Sequence, residues 1–402
     1  MSWWNYWRLG IQDCGFPPRR ELRRSRIGAV ISGCILEGRG IETMSKSATL
    51  MGVAEHAGVS TATVARVLKK NGYVKEETRK RVEESIRQTG YRLNGVARGL
   101  RTNRSMTIGN FLRSTTHNPF FAEIARGIED EALRNDHTVI LLNMEASRER
   151  ERSGVERLIE RRVDAMIFTY ALDVESLDIA AAAGIPTVQV ERVLDRPTSA
   201  VVVDNAAGSV QAIEHLVRLG HRRIGFIGAD PVLYRALGVP NSVEEERLAG
   251  YWQGLQAAGI GSADDIVFLG RYFAADKEPI TAWGQMGMRH LLQAREQPTA
   301  VLITSDVLAA GALQVAYEVG LRVPDDISIV GFDATIGRFL SPALTTVSHP
   351  LREMGKVACE LALAAIAGDT APRVVRLQTK LEIRGSTGAP PSCRKFGRPA
   401  EP

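Results

Sequence analysis

Near the start of this 402-residue chain, the side chains whose types and spacing could do chemistry are Ser60, Thr61, Thr63 and Arg66. They are hydrogen-bonding groups spread along one short segment, with only the small Ala62 and Ala65 between them at outward positions. An arginine fork can pair bidentately with guanine, and threonine hydroxyls can reach bases or phosphates. This is recognition chemistry. Signatures of catalysis do not accompany it: no G-x-G-x-x-G follows a strand-like run, and neither a P-loop nor a G-x-S-x-G elbow occurs. The 7 histidines show no H-E-x-x-H spacing. His215 and His221 lie around one helix end with no nucleophile beside them and read as surface or capping groups. No catalytic residue, cofactor or metal site is assigned.

The elements that must position the recognition set are two short helices. Leu50, Val53, Ala54 and Ala57 recur at helical spacing, and Val64, Val67 and Leu68 do so after Ser60, which can cap the second helix. Ala57-Gly58-Val59 between them has the composition of a helix-turn-helix corner: small, then free to take positive φ, then apolar. The second helix then presents Thr61, Ala62, Ala65 and Arg66 outward, its first residues toward base edges in a major groove. A third helix is predicted from Val74, Thr78, Val82 and Ile86, with Glu76 and Glu77 in a first turn that favours anions.

Charge is divided in the same sense. Residues 45–104 carry 13 Lys and Arg against 5 Asp and Glu, whereas residues 105–402 carry 31 against 37. A small basic segment on a large, mildly acidic body points to a polyanion reader joined to something else. Cys14, Cys34, Cys359 and Cys393 form no C-x-x-C pair, which fits a reducing cytosol. No apolar run reaches the roughly 18 residues that a transmembrane helix needs. Residues 1–44 combine Trp3, Trp4, Tyr6 and Trp7 with an arginine-rich stretch and no clean period. They are expected to be a disordered or mis-assigned extension, with Met44 as the initiator.

From Thr107 the pattern becomes an alternation of strand and helix. Strands are predicted at Thr107–Leu112, Val139–Asn143, Ala165–Thr169, Pro186–Val190 and Val201–Val203, with helices between them. The rhythm restarts with a helix over 206–219 and strands at Ile224–Ile227, Ile266–Leu269, Ala300–Thr304 and Ser328–Gly331. Thr345–Ser348 and a helix over 351–366 remain to be placed. Alternation of this kind implies parallel sheets with right-handed crossovers, here as two α/β halves with a late return.

Thr49-Leu50, Val53-Ala54, Ala57-Gly58-Val59-Ser60, Thr63-Val64, Arg66-Val67-Leu68, Gly90-Tyr91 and Asn94-x-Val-Ala-Arg-x-Leu100 together resemble the headpiece and hinge of LacI/GalR-type transcriptional repressors. Asn118-Pro119-Phe120-Phe121, Val203-Asp204-Asn205, Arg247-Leu248-Ala249-Gly250 and Gly331-Phe332-Asp333 continue the resemblance in family order. It implies a helix-turn-helix headpiece over 45–93 and a hinge helix and linker over 94–105. A two-lobed, periplasmic-binding-protein-like α/β domain for effector binding and dimerisation follows over 106–385, then a disordered tail over 386–402. The DNA-contacting set would be Thr49, Ser60, Thr61, Ala62, Thr63, Arg66, Asn94, Ala97, Arg98 and Leu100. Leu100 would be the minor-groove wedge, unstacking one base step in exchange for bent DNA. Gly99 beside it weakens a helix by ~1 kcal/mol relative to alanine.

The same resemblance maps an effector site onto Phe120, Phe121, Glu191, Arg192, Arg247, Tyr272, Ser305 and Asp333. Carboxylates and arginine beside an aromatic wall suit a polyhydroxylated, sugar-like ligand, because each hydroxyl can donate to one and accept from the other. Two departures stand out: Ser305 occupies a position where many sugar-responsive members carry Asn, and the stretch Asp230–Glu246 before Arg247 is long. The expected function is a homodimeric repressor on a pseudo-palindromic operator, gated by that ligand. Two other classes compete, a transport-associated solute-binding protein and an α/β enzyme; the basic 45–104 segment argues against the first and the missing site signature against the second.

Overall fold

The computed structural model describes residues 49–69, 71–91, 104–113, 118–145, 147–236, 242–261, 263–271 and 279–391. The predicted extension over 1–44, most of the predicted hinge, and Tyr272 lie outside these residues. The chain divides into two compact units, Met1–Leu93 and Asn94–Pro402.

The first unit holds α1 (Leu50–Ala57), α2 (Thr61–Lys69) and α3 (Glu76–Thr89). Thr49 caps α1 by accepting from the Gly52 amide at 3.1 Å, and Gly58 closes it at φ +62°. That left-handed conformation is where glycine replaces any residue with a Cβ most cheaply. Val53, Ala54, Ala57, Val64, Val67 and Val82 form the core, with Leu50, Leu68, Val74 and Ile86 packed against it. Arg81 of α3 donates to the Ala57 carbonyl at 2.9 Å, and His56 meets Ser85 at 3.0 Å. These bonds tie the helix-turn-helix to its third helix.

The second unit contains two six-stranded sheets. The first lobe is built from β1 (Thr107–Leu112), α4 (Pro119–Arg134), β2 (Thr138–Asn143), α5 (Arg148–Glu160), β3 (Ala165–Thr169), α6 (Val174–Ala182), β4 (Thr187–Val190) and β5 (Ser199–Val203). The second lobe follows with α7 (Asn205–Arg218), β6 (Ile224–Ala229), α8 (Pro231–Ala236), α9 (Val243–Ala257), β7 (Val267–Gly270), α10 (Ile280–Leu292), β8 (Ala300–Ile303), α11 (Asp306–Glu318), β9 (Ser328–Asp333) and β10 (Thr345–Ser348). Then α12 (Leu351–Ile366) returns to the first lobe, packing on α4, before β11 (Val374–Leu377) and β12 (Lys380–Glu382). Strand order is β11-β5-β4-β3-β1-β2 in one sheet and β12-β10-β9-β8-β6-β7 in the other. Pairing is parallel throughout except between β10 and β12.

Helices cover both faces of each sheet, so central strands are apolar along their length; all five residues of Ala165–Thr169 are buried. Helix pairs approach closely enough to need glycine. A Cβ on Gly127 of α4 would overlap the Arg352 carbonyl of α12, and one on Gly311 of α11 would overlap the Thr281 carbonyl of α10.

The structure departs from the sequence reading in three places. The edge strands β11 and β12 were not anticipated: each is short and amphipathic only in the context of the sheet it joins. His215 and His221 are buried rather than at the surface. His221 faces Thr299, Ser328 and the Gly388 carbonyl, and His215 faces Thr387. The tail expected to be disordered from 386 is therefore pinned at its start. Ser386 accepts from the Thr345 amide at 2.8 Å and donates to the Ile329 carbonyl at 2.6 Å. Residues 392–402 of that tail lie outside the described residues.

Candidate functional site

The first candidate surface is the exposed face of α2. Ser60 accepts from the Thr63 amide at 3.2 Å and its hydroxyl lies 3.0 Å from that of Thr63, which fixes the helix start. Val64 and Val67 are buried, so helical geometry turns Thr61, Ala62 and Arg66 outward, and all three are exposed. Thr63 is half-buried, and Thr49 stands exposed at the start of α1. Asn94, Ala97, Arg98 and Leu100, expected to join this set, lie outside the described residues.

The second candidate is the cleft between the lobes, where β3, β4 and β9 end. Ligands of parallel α/β sheets sit beyond the carboxyl ends of strands, and a two-lobed body brings two such edges together. Arg247, in the first turns of α9, is the hub. Its Nε donates to Asn205 Oδ1 at 2.9 Å and its Nη1 to the Thr304 carbonyl at 2.7 Å. Its Nη2 faces Glu191 of the first lobe at 3.4 Å and Asp333 of the second at 3.5 Å. The guanidinium lies 4.3 Å from the centre of the Phe332 ring. Ser305 and, from the first lobe, Asn118 also favour the ionised form of the Asp333 carboxyl. Ser305 meanwhile caps α11, accepting from the Val307 amide at 3.2 Å.

Arg192, one residue beyond Glu191, takes a different course. Its guanidinium lies 3.7 Å from the centre of the Tyr170 ring, donates to the Tyr170 hydroxyl, and sits 4.0 Å from Glu244. Phe120 and Phe121 are buried in the apolar cluster of the first lobe. Phe120 meets the His349 ring edge-on at 5.6 Å, and Phe121 meets Tyr170 at 5.8 Å. Tyr170, Glu191 and Asp333 adopt φ of +71°, +67° and +94°. Left-handed backbone at non-glycine residues costs on the order of 1–3 kcal/mol each and persists where surrounding structure over-determines it.

Burial sets the protonation of the cleft. It pushes Glu191 up to about 7, outweighing the opposing pull of Arg247, while Asp333 and the neighbouring Glu244 and Glu246 add to the rise. Asp333 is raised for the same first reason, again against Arg247. His349 is held well below the usual imidazole range by burial and then by Arg247, so it is neutral. Among the described residues, Glu191 Oε2 and both ring nitrogens of His349 meet no hydrogen-bond partner. The cleft thus offers a fixed cation, several acceptors and aromatic edges. No group of His, Cys, Asp and Glu suited to a metal is present among the described residues.

The structure therefore brings together Glu191, Arg247, Ser305 and Asp333, with Phe120 at their margin. It places Arg192 and Phe121 around Tyr170 instead. Sequence reasoning missed Asn118, Tyr170, Glu244, Asn205 and His349. Asn118 and Asn205 had signals, since each lies in a quoted motif at a strand-to-helix junction. Tyr170 and His349 each directly follow a strand, the position where cleft residues gather. Glu244 had none beyond its place in an acidic first turn.

Comparison with known proteins is consistent across the chain. Residues 49–94 match the model for bacterial regulatory proteins of the lacI family, and residues 213–387 match a periplasmic binding protein-like domain. The HTH-type transcriptional repressor PurR of Aliivibrio salmonicida is 32% identical over 323 residues, covering 79% of this chain and 92% of that protein. The lac repressor dimer bound to operator and the anti-inducer ONPF superposes with a TM-score of 0.71 at 28% identity, over 86% of this chain and 100% of that one. The transcriptional regulator CelR in complex with cellobiose superposes at 0.61 with 29% identity, over 84% and 99%. On these matches, which span both units and nearly the whole length of the relatives, the chain belongs to the lacI family of bacterial regulatory proteins.

Proposed function

We propose that this DNA-binding transcriptional regulator acts as a homodimeric repressor, gated by a neutral, polyhydroxylated effector of sugar type held between its lobes. Thr61, Ala62, Thr63 and Arg66 are assigned to base edges and adjacent phosphates, with Thr49 and Ser60 on the backbone. Asn94, Ala97, Arg98 and Leu100 are assigned to the hinge contact. Glu191, Arg247, Ser305 and Asp333 are assigned to effector hydroxyls, with Phe120, Phe121, Arg192 and Tyr272 bounding the site. The observation that carries the reading is Arg247, a buried cation poised between carboxylates of both lobes. A hydroxylated ligand can donate to those carboxylates and accept from the guanidinium in one plane. CelR, which is similar over most of this chain, holds cellobiose. The absence of any helix long and apolar enough to cross a membrane, among the described residues, is compatible with a cytoplasmic site of action.

The effect of an effector equals its differential affinity for the open and closed body, so repression and derepression are settled by which state holds the operator. The test is selection of duplexes from a randomised pool with the full chain, in the presence and absence of sugars. A pseudo-palindromic site is expected, and Arg66→Ala should weaken binding to it by ~1–3 kcal/mol and relax one base position. Failure to enrich any sequence overturns the reading.

A further inference from the structure

Besides the Arg247 hub, a second cluster of charged groups joins the lobes among the described residues, and its contacts run from protein to protein. Tyr170 follows β3 and Arg192 follows β4, both in the first lobe; Glu244 lies in the first turn of α9 in the second. The Tyr170 hydroxyl donates to Glu244 Oε1 at 2.9 Å. Arg192 donates to that same hydroxyl oxygen and stacks on the ring, and its charge faces Glu244. All three side chains are buried. The hydroxyl is thus at once donor to a carboxylate and acceptor from a guanidinium, a relay in which each bond strengthens the other.

We propose that Tyr170, Arg192 and Glu244 form a latch between the lobes that favours the closed cleft before any effector arrives. The regulatory meaning of the latch rests on reading the cleft as the effector site; the latch itself does not. Opening the lobes separates Glu244 from Tyr170 and Arg192, which breaks a charge-assisted hydrogen bond and an ion pair together. A ligand that binds the closed body loses apparent affinity in proportion as that body is depopulated, so the latch raises affinity by populating that body. Ser242, which caps α9 by accepting from the Glu245 amide at 3.2 Å, fixes the helix start that carries Glu244. Phe121 meets the Tyr170 ring edge-on at 5.8 Å, and the Arg113 guanidinium lies 5.1 Å from the ring centre.

The test measures interlobe distance in the full chain without ligand. Spin labels are placed at the exposed Glu156 of the first lobe and Gln256 of the second, with Cys14, Cys34 and Cys393 replaced by serine and labelled chains diluted in unlabelled ones. The parent should show one dominant distance. Glu244→Gln removes the charge, and Tyr170→Phe removes the relay while keeping the ring. Each should broaden the distribution, with the open-to-closed ratio rising roughly five- to thirtyfold. Tyr170→Phe keeps the core shape and decides the matter should Glu244→Gln fold poorly. Identical distributions in parent and both variants overturn the latch. Thermal shifts of the parent with D-ribose, D-glucose and cellobiose separate the two readings. Altered distances with no sugar response leave the latch standing and count against the effector assignment; a sugar response with unaltered distances does the reverse.

Discussion

At the scale of single residues, the cleft shows how burial and pairing compete. Glu191 lies 3.4 Å from Arg247 and still ionises only at about 7, because removal from water costs its carboxylate more than one shared guanidinium returns. The folded protein holds this proton more tightly than the unfolded chain, whose glutamate titrates at an ordinary 4.5. The contribution of Glu191 to stability is therefore greatest below pH 4.5, declines as pH rises to about 7, and is level above. The full span is about 3 kcal/mol. Glu191→Gln should remove that decline: the stability difference between parent and variant, read by urea unfolding from pH 4.5 to 8, should change by up to this amount. A difference independent of pH would mean Glu191 is ionised throughout. Sugar binding should respond in the same pH range, since an ionised Glu191 is a stronger acceptor for a hydroxyl.

At the scale of elements, the close helix pairs carry a steric demand that no propensity scale registers. Gly311 sits in the middle of an alanine-rich helix, where alanine would be the better helix former. It is glycine because α10 passes so near that the Thr281 carbonyl occupies the space of a Cβ. Gly284 of α10 faces the Leu308 carbonyl of α11 in the same manner, so each helix yields to the other. Gly311→Val should cost about 3 kcal/mol or more, because backbone on both sides prevents a side-chain adjustment. Unfolding at the parental denaturant concentration would show that the helices can part without loss. Histidine at the C-terminal strap is a second element-scale device. Burial lowers His221, whose ring holds Gly388 and Ser328 to the end of the sheet. Its neutral form is the native one, so its support is lost as pH falls below the ordinary 6.5.

At the scale of the whole molecule, a basic head segment and an acidic body divide labour by charge. For a dimer, two copies of α2 must meet successive major grooves on one face of the duplex. Inserting five base pairs between the half-sites turns one groove by about half a revolution, so binding should fall to that of a single half-site. Ten inserted pairs restore the facing. Equal affinity for all three spacings, measured by mobility shift at fixed salt, would show that the chains bind independently.

Much of this architecture is written locally. Thr49, Gly58 and Ser60 mark helix ends through bonds to residues within five positions, and Val53, Ala57, Val64 and Val67 mark one apolar face by helical period. The predicted helix-turn-helix, the alternation of strands and helices, and the family motifs needed no more than that. The strands predicted at Thr107–Leu112, Val139–Asn143, Ala165–Thr169, Pro186–Val190, Ile266–Leu269 and Ala300–Thr304 agree with the structure to within a residue at each end, because strands of parallel sheets read as largely apolar runs between turns. What the tertiary structure alone decided is partnership. Arg247 could have paired with the glutamates beside it on α9, yet it reaches Glu191, 56 positions away, and Glu244 reaches Tyr170, 74 away. Short-range patterns encode where a helix starts and which side it buries, since those depend on neighbours along the chain. Which charges meet depends on strand order and on the chain's repeated crossing between two sheets, and no local period carries that information.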